Sequence, residues 1–282
     1  MQISGRLGNQ LFQWAYAHQL ADQFNVQIQP FVDKLHFSPS EDSIYSVQGM
    51  KCIHIADQKT FDLGGQIFRI LDKISRTNSI LAKNISQKSG ILRQPDAYIL
   101  PEVKVKPWLV SGFYISAEPA EIYGDHLWDI LKCIIEPIFI SKKFSMNLPD
   151  YYQAIHVRRG DFQTMQKTFG LLDAEWYSRN LDFNLPIVLA TDDLMGAQEI
   201  INRIKPDIVL DPDLVNPMET LAILANSEKL VLANSTFSWW AGFCVSRTGG
   251  QVIFPKPFYL SEPWKNESMI LPSFTERPSS FI

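Results

Sequence analysis

Apolar residues at Leu7, Leu11, Trp14, Ala15, Leu20, Ala21 and Phe24 recur at a helical period. They follow a short first strand expected at Met1 to Ser4 and a turn at Gly5-Arg6-Leu7-Gly8. Val26 and Ile28 then alternate with polar neighbours up to Pro30, which reads as a strand. Strand, glycine turn, helix and strand make a βαβ opening. Residues 33 to 107 show little pattern beyond short alternating pieces such as Lys51-Cys52-Ile53-His54-Ile55. Trp108 to Tyr114 reads as a strand and Tyr123 to Leu131 as a helix. The apolar run Asp129 to Ile140 is expected to break at Pro137.

The second half is more regular. Tyr152 to Val157, Ile187 to Ala190, Ile208 to Leu210, Lys229 to Ala233 and Gln251 to Phe254 read as buried strands. Helical stretches are expected at Leu194 to Ile204, Met218 to Asn226 and from Thr236 onward. Strands and helices that alternate in this way predict an α/β fold with a parallel, doubly wound sheet. The polar stretch Ser141 to Asp150 suggests a boundary between two domains, 1–145 and 146–282.

Composition narrows the partners. The 282 residues carry 26 Lys plus Arg against 30 Asp plus Glu, a net charge of −4, so no generic basic surface for nucleic acid is expected. Cys52, Cys133 and Cys244 are far apart and form no Cys-x-x-Cys pair, so neither a zinc site nor a disulfide framework is expected. A reducing cytoplasm fits this pattern. No basic segment precedes an apolar run at the N-terminus, so no signal peptide is expected. The sequons at Asn84, Asn234 and Asn266 carry no weight without secretion. The longest apolar stretch, Leu230 to Val245, is interrupted by Asn234, Ser235, Thr236 and Ser238, and no integral membrane segment is expected.

Ligands of open parallel sheets bind outside the carboxyl ends of the strands, and here three expected strands end in polar clusters. The first is His156-Val157-Arg158-Arg159-Gly160-Asp161. Arg presents a planar fork suited to phosphate, and Gly160 lets the chain pass closely over a ligand. A pair of arginines salt-bridged to nearby acids is the competing structural explanation, and Asp161 could orient an Arg or take a proton. The second is Thr191-Asp192-Asp193, which could bind a metal, cap the next helix or accept hydrogen bonds from a base or ribose. The third is Asn234-Ser235-Thr236-Phe237-Ser238-Trp239-Trp240, where a strand leads into a helix whose free amides and dipole suit a phosphate. An ordinary cap ahead of a Trp-rich core helix explains it equally well. A fourth cluster, Gly5 to Gln10, follows the expected first strand but has neither dinucleotide-binding nor P-loop spacing. Together the clusters describe a diphosphate site of arginines and a helix N-terminus, with polar groups beside it for a nucleoside and no need of a metal.

These clusters, in this order, resemble the bacterial α-1,2-fucosyltransferases, inverting enzymes of glycosyltransferase family 11 that use GDP-fucose. Gly5 to Ala15 resembles the family's opening G-x-L-G-N-Q-x-F-Q-Y-A, with Trp14 in place of Tyr. His156 to Asp161 matches its H-x-R-R-G-D, and Asn234 to Trp240 its N-S-T-F-S-W-W. Thr191 to Asp193 resembles its S-D-D. The resemblance implies a GT-B-type α/β fold, two Rossmann-like domains facing a cleft, with the acceptor on the N-terminal domain and GDP-fucose on the C-terminal one. It implies transfer of fucose to O2 of a terminal β-galactose on a glycan, without cofactor or metal.

The resemblance gives Arg159, in an open cleft, the leaving phosphate. Arg158, Asn234, Ser235, Thr236 and Phe237 would line the donor, and His156, Asp192 and Asp193 would meet guanine or ribose. Asn9 would lie near the reacting sugar, and Asp161 would be either the base or a support for an arginine. A cytoplasmic enzyme of O-antigen or other surface-polysaccharide synthesis follows, with peripheral attachment to the inner membrane face compatible. The alternatives are α-1,6 or protein O-fucosylation from GDP-fucose, and a non-catalytic nucleotide-sugar or glycan-binding protein.

Overall fold

The computed structural model describes residues 1–3, 5–27, 31–32, 90–94, 100–107, 109–261 and 268–282. The alternating piece Lys51 to Ile55 lies outside them, as do Cys52, Asn84 and Asn266. By its internal contacts the chain divides into Met1–Tyr123 and Gly124–Ile282.

In the first unit, β1 (Gln2–Ile3) leads through Gly5 into α1 (Leu7–Phe24), the helix that the apolar period marks. β1 pairs in parallel with β2 (Phe31–Val32); of the strand expected from Val26, Val26 and Gln27 are in no strand and residues 28–30 lie outside the described residues. β3 (Ile91–Arg93) pairs in parallel with β4 (Leu109–Ser111), inside the stretch expected from Trp108 to Tyr114. α2 spans Glu118–Ile122. Met1, Ile3, Tyr16, Leu20, Leu92, Val110 and Tyr114 form a buried cluster, with Tyr16 stacked on Tyr114 at 4.2 Å.

The second unit opens with α3 (Gly124–Ser145), one helix that runs through Pro137 where a break was expected. Leu127, Leu131 and Ile135 form its buried face, while Cys133 and Pro137 lie on the exposed side. The carbonyl that loses its partner to the proline is therefore on the solvent side, where water can serve it. The division by contacts falls at 123/124 where a boundary at 145/146 was expected, because α3 packs on α7 (Pro217–Ala225) and Lys142 pairs with Glu219 at 2.8 Å.

Six parallel strands follow: β5 (Gln153–Val157), β6 (Ile187–Thr191), β7 (Ile208–Leu210), β8 (Lys229–Val231), β9 (Gln251–Lys256) and β10 (Phe274–Pro278). Their order is β10-β9-β8-β5-β6-β7. Between them lie a 3-10 turn (Gly160–Gln163), α4 (Gln166–Phe169), α5 (Ala174–Arg179), α6 (Gln198–Ile204), α7 and α8 (Thr236–Arg247). β5 and β6 are buried along their whole length, as expected of strands covered on both faces. Ile155, Val157, Leu189, Val231 and Ile253 from four neighbouring strands join Trp176 and Ile200 in one core.

The α/β class and the parallel sheet expected from the alternation are present. Two details differ. α6 starts at Gln198, not near Leu194, because Asp193 Oδ1 accepts the Gly196 amide at 3.0 Å and holds the preceding residues in a turn. β10, not expected at all, adds an edge strand in parallel register from Phe274 opposite Val252 to Pro278 opposite Lys256.

Candidate active site

Counted from β5 as the first strand of the second unit, the sheet order reads 3-2-1-4-5-6. Chain direction across the sheet reverses between β5 and β8. At such a reversal the loops leaving two adjacent strands diverge to opposite sides, and the crevice between them takes a nucleotide. β5 runs into His156 to Asp161 and β8 into Asn234 to Phe237, so the two richest polar clusters of the sequence flank that crevice. β6, on the other side of β5, runs into Asp192 and Asp193.

The two arginines after β5 part company. Arg159, expected in an open cleft, is 4% exposed. Its guanidinium donates to three main-chain carbonyls: Nε to Gly196 (3.1 Å), Nη1 to Arg158 (3.1 Å) and Nη2 to Leu172 (2.8 Å). Its amide donates to Asp192 Oδ1 at 2.8 Å. A guanidinium carries five N–H donors in a rigid fork, which lets one side chain tie three loops together. Arg158 turns the other way. Its Nη2 pairs with Asp161 Oδ1, and its Nη1 lies 2.7 Å from Asp192 Oδ2, an ion pair without the alignment of a hydrogen bond. Arg158 Nε is buried without a partner. A cation-π contact of 5.2 Å sets its guanidinium over the Phe162 ring.

Gly160 is required by this packing. A Cβ there would lie 2.2 Å from Asp192 Oδ2. Asp192 thus braces the start of the loop, and Asp193 its far end: Asp193 Oδ2 accepts from Gln163 Nε2 at 2.6 Å. Among the described residues no group of three or more His, Cys, Asp or Glu side chains is arranged to hold a metal ion.

On β8's side, Asn234 is 1% exposed and donates to the carbonyls of Phe169 (2.8 Å) and Gly170 (3.1 Å). Ser235 is the N-cap of α8 in an extended conformation and makes no side-chain cap bond. The first intrahelical bond runs from Trp239 to the Ser235 carbonyl at 2.9 Å, so the amides of the first turn are not used by the helix itself. Ser238 Oγ accepts the Ala233 amide at 2.9 Å and fixes the turn. Trp239 and Trp240 are both fully buried; they anchor α8, and Thr236 and Phe237 remain part-exposed at its start. Phe237 meets the His156 ring at 5.2 Å, which joins the β5 and β8 clusters. His156 is held neutral: burial first, and the Arg158 charge second, lower its pKa to about 3. Its Nδ1 is buried without a partner.

Asn9 belongs to the first unit. It sits part-buried on the first turn of α1, with its amide nitrogen 2.6 Å from where a Cβ on Gly5 would be, and Gly5 has φ +77°. Gln10 Nε2 donates to the Gly5 carbonyl and Gln13 Nε2 to that of Gly112, both at 2.8 Å. The opening motif is thus a buried glutamine frame around a glycine turn.

In the second unit the expected residues form two contact sets, Arg158 with Asp161 and Asp192, and His156 with Phe237, and the charge of Arg158 acts on His156. Asn234 is turned into the fold, and Arg159 is enclosed by main chain. Sequence reasoning missed Gln163, the carbonyls of Leu172 and Gly196, and Tyr177, whose buried hydroxyl lacks a hydrogen-bond partner and is raised in pKa by burial. A glycine three residues after an Asp pair was the available signal for Gly196. Nothing in the sequence marks Leu172.

The profile of the family described as "Glycosyl transferase family 11" matches residues 70–276. No curated protein matches the chain. Among solved structures the chain is similar to the fucosyltransferase NodZ from Bradyrhizobium, at 14% identity over 85% of this chain and 90% of that one, with a TM-score of 0.44. It is similar to the family 9 glycosyl transferase from Veillonella parvula, at 12% identity over 98% and 85%, with a TM-score of 0.49. It is also similar to POFUT1 in complex with GDP-fucose, at 14% identity over 85% and 91%, with a TM-score of 0.40.

Proposed function

The chain belongs to glycosyl transferase family 11, and from that membership we propose that it moves L-fucose from GDP-β-L-fucose to O2 of a terminal β-galactose on a glycan. The anomeric centre inverts, and neither metal nor cofactor takes part. The observation that carries this reading is the placing of His156 and Arg158 at the end of β5, and of the start of α8 after β8, at the strand-order reversal of a 3-2-1-4-5-6 sheet. This is where such a sheet takes a nucleotide.

The acceptor's O2 attacks C1 of fucose while the bond from C1 to the GDP oxygen breaks. The bonding electrons pass to the β-phosphate and the O2 proton passes to a base or to water. Negative charge therefore grows on the phosphate, and donors fixed there in advance lower the barrier. Arg158 and the first-turn amides of α8 supply them, aided by Ser235 and Thr236. Arg159, with its three carbonyl bonds, builds the loop that presents Arg158. The neutral His156 imidazole, Phe237, Asp192 and Asp193 take the nucleoside side, and the family resemblance assigns Asn9 to the reacting sugar. The absence of Cys pairing in the sequence favours a cytoplasmic place, at the start of surface-glycan assembly.

The test is incubation with GDP-fucose and a panel of β-galactosides, with excess EDTA in a parallel series, followed by linkage determination. An α-1,2-fucosylated product with an undiminished rate in EDTA is expected. A different linkage overturns the acceptor assignment. Loss of activity in EDTA with recovery in magnesium or manganese makes the Asp192–Asp193 pair a metal site. An untouched donor reduces the protein to a binder.

A further inference from the structure

The two carboxylates that hold Arg158 are built differently. Asp192 is fixed: its Oδ1 is tied to the Arg159 amide at 2.8 Å, its side chain is 19% exposed, and Gly160 passes against it with no room for a Cβ. Asp161 belongs to a four-residue 3-10 turn, and its side chain is 40% exposed. Water competes far better for the Asp161 contact, and exposed ion pairs contribute little. The Arg158 side chain is 11% exposed and keeps its Nε donor unused, so its hydrogen-bonding capacity is not exhausted by the two acids.

We propose that Asp161 is a displaceable counter-anion. It occupies the Arg158 Nη2 edge while that edge has no phosphate, and it yields the edge to the donor's β-phosphate, with Asp192 holding Arg158 in place throughout. This rests on the nucleotide-sugar reading of the site. Asp161 and the phosphate both want the Nη2 edge of Arg158, and both cannot have it at once. Asp161 therefore weakens diphosphate binding. After the C1–O bond breaks it competes again for Arg158 and hastens the departure of GDP. It acts through Arg158 and touches no reacting atom, so it is a positioning residue, and its effect on affinity has the sign opposite to that of any group that grips the donor.

Calorimetry on the full chain separates these roles, with GDP, inorganic pyrophosphate and guanosine as probes. Asp161→Asn is expected to bind GDP and pyrophosphate about fivefold tighter or more, the scale of one half-exposed ion pair plus the relief of like-charge repulsion. Guanosine binding is expected to stay as in the parent, and Asp161→Glu, which keeps the charge, to remain near the parent for all three. Asp161→Ser is expected to tighten in the same sense with no amide in place of the carboxylate. In turnover, Asp161→Asn should lower KM for GDP-fucose and kcat together, as product release slows. Unchanged GDP affinity with lowered kcat overturns the proposal in favour of a base, and weakened affinity overturns it in favour of a pure support for Arg158. Either result leaves the nucleotide site standing. A parent protein that binds neither GDP nor pyrophosphate removes the nucleotide-sugar reading itself, and the proposal with it.

Discussion

Arg159 donates to the carbonyls of Gly196, Arg158 and Leu172 from inside the fold. A lysine in its place keeps the charge but offers a single point of attachment instead of a fork. At least one buried carbonyl then lacks its donor, at a cost of about 1–3 kcal/mol. Arg159→Lys should lower the melting temperature by roughly 2–10 °C on the usual scale for a chain of this size. It should weaken GDP binding as well, because the loop carrying Arg158 loosens. A melting temperature equal to the parent's would mean that the three carbonyl bonds contribute nothing. His156 gives a second test at this scale. In the fold it stays neutral down to about pH 3, while in the unfolded chain it takes a proton below about pH 6.5. The unfolded chain therefore holds the extra proton between those values. Stability is full above pH 6.5 and falls as pH drops towards 3, by at most about 1.4 kcal/mol per unit from this one group. Urea unfolding of His156→Gln at pH 7 and pH 5 should show a shallower fall than the parent. An identical fall would mean that the imidazole reaches solvent and titrates freely.

The elements of the second unit repeat this logic over longer stretches. Pro137 sits inside α3 on its exposed side, where it removes one helical hydrogen bond without touching the Leu127-Leu131-Ile135 face. Pro137→Ala restores that bond and a better helix former, so the melting temperature should rise by a few degrees with donor binding unchanged. A fall would mean that the helix is bent to fit α7 and needs the proline. The same helix shows where the sequence was legible and where it was not. Strands β5 to β9 were readable because each carries a short apolar run, the clearest being the fully buried Ile187 to Ala190. α3 was read as broken because proline is a strong local signal, while its buried face depends on which side α7 covers. β10 was missed because Phe-Thr-Glu-Arg-Pro carries an edge strand's polar surface, and only its register against β9 reveals it. In the site, the clusters at the strand ends were legible by residue type. The division of labour between Arg158 and Arg159 was not, since it depends on where main-chain carbonyls lie in the fold, which residue type does not reveal.

At the scale of the whole molecule, every side chain assigned to the donor comes from Gly124–Ile282, and Asn9 alone among the candidates comes from Met1–Tyr123. The larger unit holds its own six-stranded sheet, with Val157, Leu189, Val231 and Ile253 in one core, and α3 and α8 both pack on α7. That is a domain of ordinary size with a core of its own, which is what independent folding requires. The ion pairs of Arg158 with Asp161 and Asp192, and the ring contact of His156 with Phe237 at the start of α8, all lie within it. The fragment Gly124–Ile282 should therefore unfold cooperatively and should be stabilised by GDP to a similar degree as the full chain, since a ligand that binds only the native state raises its melting temperature by mass action. UDP should stabilise both less, because the pyrophosphate contacts are shared and the base contacts are not. The fragment should transfer no fucose, as Asn9 and the acceptor side are missing. Thermal melts of fragment and full chain with GDP and UDP, beside a transfer assay, decide the matter. A fragment that folds but ignores GDP would show that the first unit helps to hold the nucleotide, and the donor site would then have to be redrawn to include it.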